Sequence, residues 1–152
     1  MTNRIECYRR LKPVIDNLRQ VLTMMGFSDS CSHIVATMYV IRDRMTIDDL
    51  SQLTSYAKST VFSCLNLLER LGFITKEKKG RKYLYTPISN PSDIVVDKIK
   101  QILEKGIRPL LDVLERICRE EVDDNVRRKA HEMLINVKRL AEFLSKIVHE
   151  TK

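Results

Sequence analysis

The chain has 152 residues, of which 43% are hydrophobic and 31% charged, with no tryptophan and only four glycines and four prolines. That composition supports a packed core, excludes a globally disordered chain and favours helices over strands. The formal net charge of +7 is unevenly placed: residues 55–86 carry net +5, while residues 1–54 and 87–152 each carry net +1. A local cationic excess attracts a polyanion, unless it serves only as a solvated face.

The N-terminal ten residues hold no apolar leader core, and no apolar run reaches the roughly 18 residues a membrane span needs. A soluble, cytoplasmic protein with no membrane partner is expected.

Residues 4–25 read as a first helix, with Ile5, Tyr8, Leu11, Leu18 and Met25 on one apolar stripe. Pro13 either kinks this helix or falls in the first turn of one that starts near residue 12. Gly26 ends it. Ser28 is the expected N-cap of a second helix running to about Asp43, with Ile34, Val35, Met38, Tyr39 and Ile41 facing inward. His33, in that helix, lacks a second ligand at metal-binding spacing and reads as an ordinary surface or boundary histidine.

Thr46-Ile-Asp-Asp49 has the form of a capping box opening a third helix, which runs out near Thr54. Ser55-Tyr56-Ala57 form a tight turn, and Lys58–Leu71 a fourth helix. Val61, Leu65 and Leu68 form its apolar back, while Lys58, Ser59, Thr60, Ser63, Asn66 and Arg70 fall largely elsewhere. Gly72 stands where a left-handed glycine stops a helix. Two strands follow, with Lys79-Gly80-Arg81 as the turn between them. Helix, turn, helix and basic hairpin in this order describe a winged helix-turn-helix. Such a module sets the second helix in the major groove and the hairpin on the minor groove or the phosphates.

Asn90-Pro91-Ser92-Asp93 opens a long helix that Gly106 and Pro109 are expected to bend. Asp123-Asp124-Asn125 interrupts the pattern. A last helix to about His149 places Val126, Ala130, Met133, Val137, Leu140, Leu144 and Ile147 at near-heptad spacing. These stripes are too long for a small winged domain to cover, so a second copy of the chain is expected to bury one of them. Folding back on residues 4–25 is the other solution.

No enzyme is expected. Gly80 stands alone among lysines, so there is no phosphate loop, and His131-Glu132 lacks the second histidine of a metalloprotease helix. No cofactor or metal is implied. The four cysteines, Cys7, Cys31, Cys64 and Cys118, lie at least 24 positions apart, which supports neither a disulfide framework nor a zinc knuckle. Cys31, Cys64 and Cys118 are expected to act as small buried hydrophobes.

The run Leu50-Ser-Gln-Leu, Lys58-Ser-Thr-Val, Leu68-Glu-Arg-Leu-Gly-Phe-Ile-Thr-Lys and Gly80-Arg-Lys-Tyr-Leu-Tyr resembles the MarR-like superfamily of prokaryotic regulators. It is most similar to the archaeal-type GbsR-like and TrmB-like members, over about residues 20–88. The resemblance implies a homodimer that reads a pseudo-palindromic site in double-stranded DNA. An N-terminal helix (residues 1–27) and a C-terminal helical region (89–152) would dimerise around a winged domain (28–88). Lys58, Ser59, Thr60, Ser63 and Asn66 would then lie on the recognition helix, and Lys76, Lys78, Lys79, Arg81 and Lys82 on the wing. Two departures stand out. Ala57 replaces the usual capping Ser or Thr, leaving Ser55 as a substitute cap. Phe62 and Leu67 replace polar residues; Phe62 either packs as a core or hinge residue or touches a thymine methyl, and packing is the expectation. A small-molecule effector between winged domain and flanking helices, near Tyr8, Tyr39 or the Gly106–Pro109 bend, is compatible with the pattern but not specified by it. The rival reading is a winged helix that serves as a protein-contact module in a basal transcription or chromatin complex.

Overall fold

The computed structural model describes residues 3–150. In chain order the elements are α1 (Arg4–Arg10), α2 (Lys12–Met24), α3 (Asp29–Ile41), α4 (Ile47–Thr54), α5 (Lys58–Arg70), β1 (Ile74–Lys79), β2 (Lys82–Pro87), α6 (Pro91–Ile102), a π-helical turn (Leu103–Ile107), α7 (Arg108–Arg119) and α8 (Asp124–Glu150). The fold is mainly helical, and β1 and β2 pair antiparallel from Ile74–Pro87 to Lys79–Lys82. The chain divides after Ile94 into two compact units.

The first unit is built around α3. Ser28 caps it by accepting from the Cys31 amide at 3.2 Å, as expected. Its burial exceeds the one-sided stripe read from the sequence, because every residue from Cys31 to Tyr39 is buried. A helix buried all round lies at the centre of its domain. Ile34, Val35 and Met38 join Ile15 and Leu22 of α2, Leu50 of α4, Val61, Leu65 and Leu68 of α5, and Tyr85 of β2 in one apolar cluster. Thr37 is satisfied within the helix, its Oγ1 donating to the His33 carbonyl at 2.8 Å.

The expected first helix is broken in two at Leu11, and Pro13 occupies the first turn of α2. Proline fits there because the first amides of a helix have no intrahelical acceptor. The capping box at α4 is complete: the Asp49 amide donates to Thr46 Oγ1 at 3.0 Å and the Thr46 amide to Asp49 Oδ2 at 2.9 Å. Gly72 adopts φ +81° after α5, and Gly80 adopts φ +65° in the two-residue turn of the hairpin. A bridge to the segment before α4 anchors the hairpin, with Met45 and Tyr85 exchanging amide–carbonyl bonds of 3.1 and 2.8 Å.

In the second unit a π-helical turn includes Gly106 and directly precedes α7, which holds Pro109 in its first turn, at the position where a bend is expected. Proline lacks an amide donor and its ring crowds the carbonyl four residues back, so a wider turn at that point accommodates it. A four-residue connection then leads into α8, where the Asp123 carboxylate accepts from the Val126 amide at 2.9 Å. Leu114, Ala130, Leu134 and Val137 form the small core of this helical hairpin. Val126, Met133, Leu140 and Phe143 of α8 stay exposed, at 42, 48, 42 and 62%. The near-heptad stripe is therefore only partly buried within its own unit.

The cysteine reading needs correction. Cys31 of α3 and Cys64 of α5 are joined by a disulfide with Cα atoms 5.4 Å apart, whereas Cys7 and Cys118 are free. Thirty-three positions separate the pair in sequence, so only the packing of α5 on α3 brings them together. Thiol titration of the denatured, unreduced protein is expected to find two free thiols, and Cys64→Ser is expected to lower stability by roughly 2–4 kcal/mol, read from denaturant melts.

Candidate nucleic-acid interface

Helix α5, the expected recognition helix, divides into two faces. Val61, Cys64, Leu65 and Leu68 are buried against the core. Ser59, Phe62, Ser63 and Arg70 are exposed, with Asn66 half-buried among them, so the outward stripe recurs at three and four. Of the expected reading residues, Lys58, Ser59 and Ser63 are exposed, while Thr60 and Asn66 are half-buried at its margins. Phe62 does not pack as expected. It is 48% exposed, because 61, 64, 65 and 68 already complete the inward face and position 62 projects away from it.

No side chain caps α5. Ala57 occupies the cap position, and Ser55, the anticipated substitute, is used instead as the left-handed end of α4 at φ 65°. The turn is held from elsewhere. Ser51 Oγ donates to the Tyr56 carbonyl at 2.6 Å. The Tyr56 hydroxyl meets His33 Nδ1 at 3.2 Å and accepts from Arg19 at 3.3 Å, and Arg19 also pairs with Asp29. Tyr8 completes the cluster, its hydroxyl 2.7 Å from His33 Nε2. His33 is thus a buried polar hub rather than a boundary residue: it ties α1 and α3 to the turn before α5, and Arg19 of α2 reaches the same turn through Tyr56. A neutral imidazole carries one donor and one acceptor, and two hydroxyls satisfy both. Burial, and then the nearby Arg19 and Lys12 charges, push the His33 pKa below the ordinary value near 6.5.

A cleft of about 430 Å³ joins α4, α5 and the hairpin, with Asp48, Lys58, Ser59, Phe62, Lys82 and Tyr83 among its lining. It unites part of the expected recognition helix with part of the expected wing. The wing cations differ in their engagements. Lys76 pairs with Glu69 at 3.4 Å and lies 4.8 Å over the Tyr83 ring. Lys82 pairs with Asp48 at 3.1 Å, and Lys58 pairs with the same carboxylate at 3.0 Å. Lys78, Lys79 and Arg81 at the hairpin tip are exposed, and among the described residues no acidic group lies within ion-pair distance of them. Asp48 and Tyr83 also line the cleft, and the sequence does not mark either of them. By sequence Asp48 is a helix-start acid and Tyr83 a strand residue. Among the described residues no cluster of three or more His, Cys, Asp or Glu is placed to hold a metal ion, and no helix is long and apolar enough to cross a membrane.

Residues 33–144 match the model of a family described as penicillinase repressor. That match spans well over half of the chain, which therefore belongs to the penicillinase repressor family, a family of winged-helix transcriptional regulators. A solved structure described as a transcriptional regulator is similar in fold, with a TM-score of 0.59 and 10% identity over 93% of this chain and 97% of that one. No curated protein matches significantly.

The His33 hub carries a pH signature. The unfolded chain takes up a proton near the ordinary imidazole value, whereas the folded chain does so only at lower pH. Stability is therefore full above about pH 6.5 and falls as pH drops below it. Melting temperatures from about pH 7.5 to about pH 5 are expected to decline less in His33→Gln than in the wild type.

Proposed function

We propose that this member of the penicillinase repressor family is a homodimeric, cytoplasmic repressor that binds double-stranded DNA sequence-specifically through residues 28–88. The observation that carries the reading is the juxtaposition of the outward face of α5 with the basic hairpin across one cleft. Lys78, Lys79 and Arg81 supply phosphate contacts, which give affinity without sequence information. Ser59, Ser63 and Asn66, flanked by Lys58 and Thr60, supply base contacts in the major groove. Exposed Phe62 adds an apolar surface suited to a thymine methyl. Kinship with the MarR-like superfamily, and within it with archaeal-type GbsR-like and TrmB-like regulators, is part of this proposal and rests on the motif residues quoted above.

Residues 1–27 and 89–152 provide the dimer contacts in this reading. Support comes from the exposed Val126, Met133, Leu140 and Phe143 of α8, which a monomer would leave in water. Twofold symmetry then matches two half-sites about one helical turn apart, roughly 34 Å.

Selection of bound duplexes from genomic DNA is expected to enrich a pseudo-palindrome. The Lys78→Ala/Lys79→Ala/Arg81→Ala variant is expected to enrich the same sequence with lower affinity and a shallower salt dependence, by about 0.9 in log K per log salt for each phosphate no longer neutralised. Ser63→Ala/Asn66→Ala is expected to change the preferred sequence instead. Failure to enrich any sequence, with binding only when a protein partner is present, would replace DNA reading with protein contact.

Light scattering is expected to give a dimer for the wild type and a monomer for Phe143→Glu. A wild-type monomer at micromolar concentration would remove the dimer from the reading.

A further inference from the structure

Asp48 is out of place on a surface that meets phosphates. It sits in the first turn of α4, where a carboxylate suits the helix dipole. Helix starting is already served by Thr46 and Asp49, whose reciprocal bonds complete the capping box without it. The Asp48 carboxylate instead faces the cleft, where Oδ1 takes Lys58 at 3.0 Å and Oδ2 takes Lys82 at 3.1 Å. Those lysines come from the start of the recognition helix and from the second wing strand. One anion thus spans three elements and occupies two of the three cations that line the cleft, Lys58 and Lys82 but not Arg81. The Lys58 and then the Lys82 ammonium hold its carboxyl below the usual carboxylate range, so it is ionised at neutral pH.

We infer that Asp48 is a built-in competitor for DNA phosphate, one that limits sequence-independent affinity by keeping Lys58 and Lys82 occupied. The inference rests on the DNA-binding reading above and adds a residue that sets the balance between affinity and selectivity. A phosphate oxygen and a carboxylate oxygen accept the same ammonium hydrogen bonds, so a lysine held by Asp48 contributes less counterion release on binding. Phosphate contacts carry no base information. Their restraint therefore weakens binding to every sequence and leaves discrimination to the face of α5. Both ion pairs are solvent-exposed, so their cost to DNA binding is modest and depends on salt.

The test uses the full chain and a random-sequence duplex, which requires no knowledge of the operator. Asp48→Asn keeps the side-chain shape and removes the charge. It is expected to bind the random duplex about five- to tenfold more tightly than wild type near 0.1 M salt. The slope of log K against log salt should steepen by up to about 1.8, two phosphates neutralised at about 0.9 each. In a Lys58→Gln/Lys82→Gln background the same substitution is expected to give little gain. Unchanged melting temperatures confirm that folding is not being read.

Wild-type binding that Asp48→Asn leaves unchanged or weakens would overturn the inference, because Asp48 would then be inert or would position the lysines for phosphate. A gain of equal size in the Lys58→Gln/Lys82→Gln background would overturn it too, since the acid would then act by plain repulsion. If neither wild type nor Asp48→Asn binds duplex at low salt, the DNA reading fails, and this inference falls with it.

Discussion

The packing of α5 on α3 is the constraint on which the rest of the structure depends. A recognition helix needs one apolar side fixed to a rigid support if the other side is to meet a groove in one orientation. Val61, Leu65 and Leu68 provide the first requirement and Ile34, Val35 and Met38 the second. Because α3 is buried on all sides, it serves every neighbour at once: α2 covers it, α4 and α5 lean on it, and β2 reaches it through Tyr85. Truncating a fully buried side chain in such a helix removes roughly 2–5 kcal/mol, comparable with the whole margin of a small domain. The Cys31–Cys64 disulfide crosses the same interface, so covalent and apolar restraints act together on one helix pair.

Polar groups then aim what the apolar groups hold. The segment Ser55–Ala57 has no cap for α5, yet Ser51, His33 and Arg19 all converge on Tyr56. The wing is placed in a similar way by the Met45–Tyr85 bridge, and by Ser89, which donates to the Phe73 carbonyl at 2.9 Å and also meets the Tyr39 hydroxyl. Helix α5 and the hairpin therefore share one support, and cations of both line a common cleft. On that cleft the electrostatics are mixed. Among the described residues the hairpin tip meets no carboxylate, whereas Lys58 and Lys82 pair with Asp48.

Much of this is legible in the chain. Thr46 with Asp49, Gly72 and Gly80 are local signals whose conformational demands do not depend on distant residues, and each appears where its chemistry requires. The stripe of α5 is readable for the same reason. What escapes is non-local. Cys31 and Cys64 look unrelated because 33 positions say nothing about distance across a helix pair. His33 looks solitary because its partners, Tyr8 and Tyr56, lie 25 and 23 positions away on other elements. Phe62 is expected inside because its type is apolar, but its angular position on the helix outweighs its type.

Charge pattern, helix periodicity and turn residues determined by themselves that this chain holds a winged helix-turn-helix with a basic hairpin and long apolar helices beyond it. Each of those signals is read within a few residues, over the period of one helix turn or one hairpin. The tertiary structure alone decided which of these cations meet a carboxylate. Whether a lysine faces solvent or a carboxylate depends on how α4, α5 and β2 meet, and Asp48 stands 10 positions from one of its partners and 34 from the other.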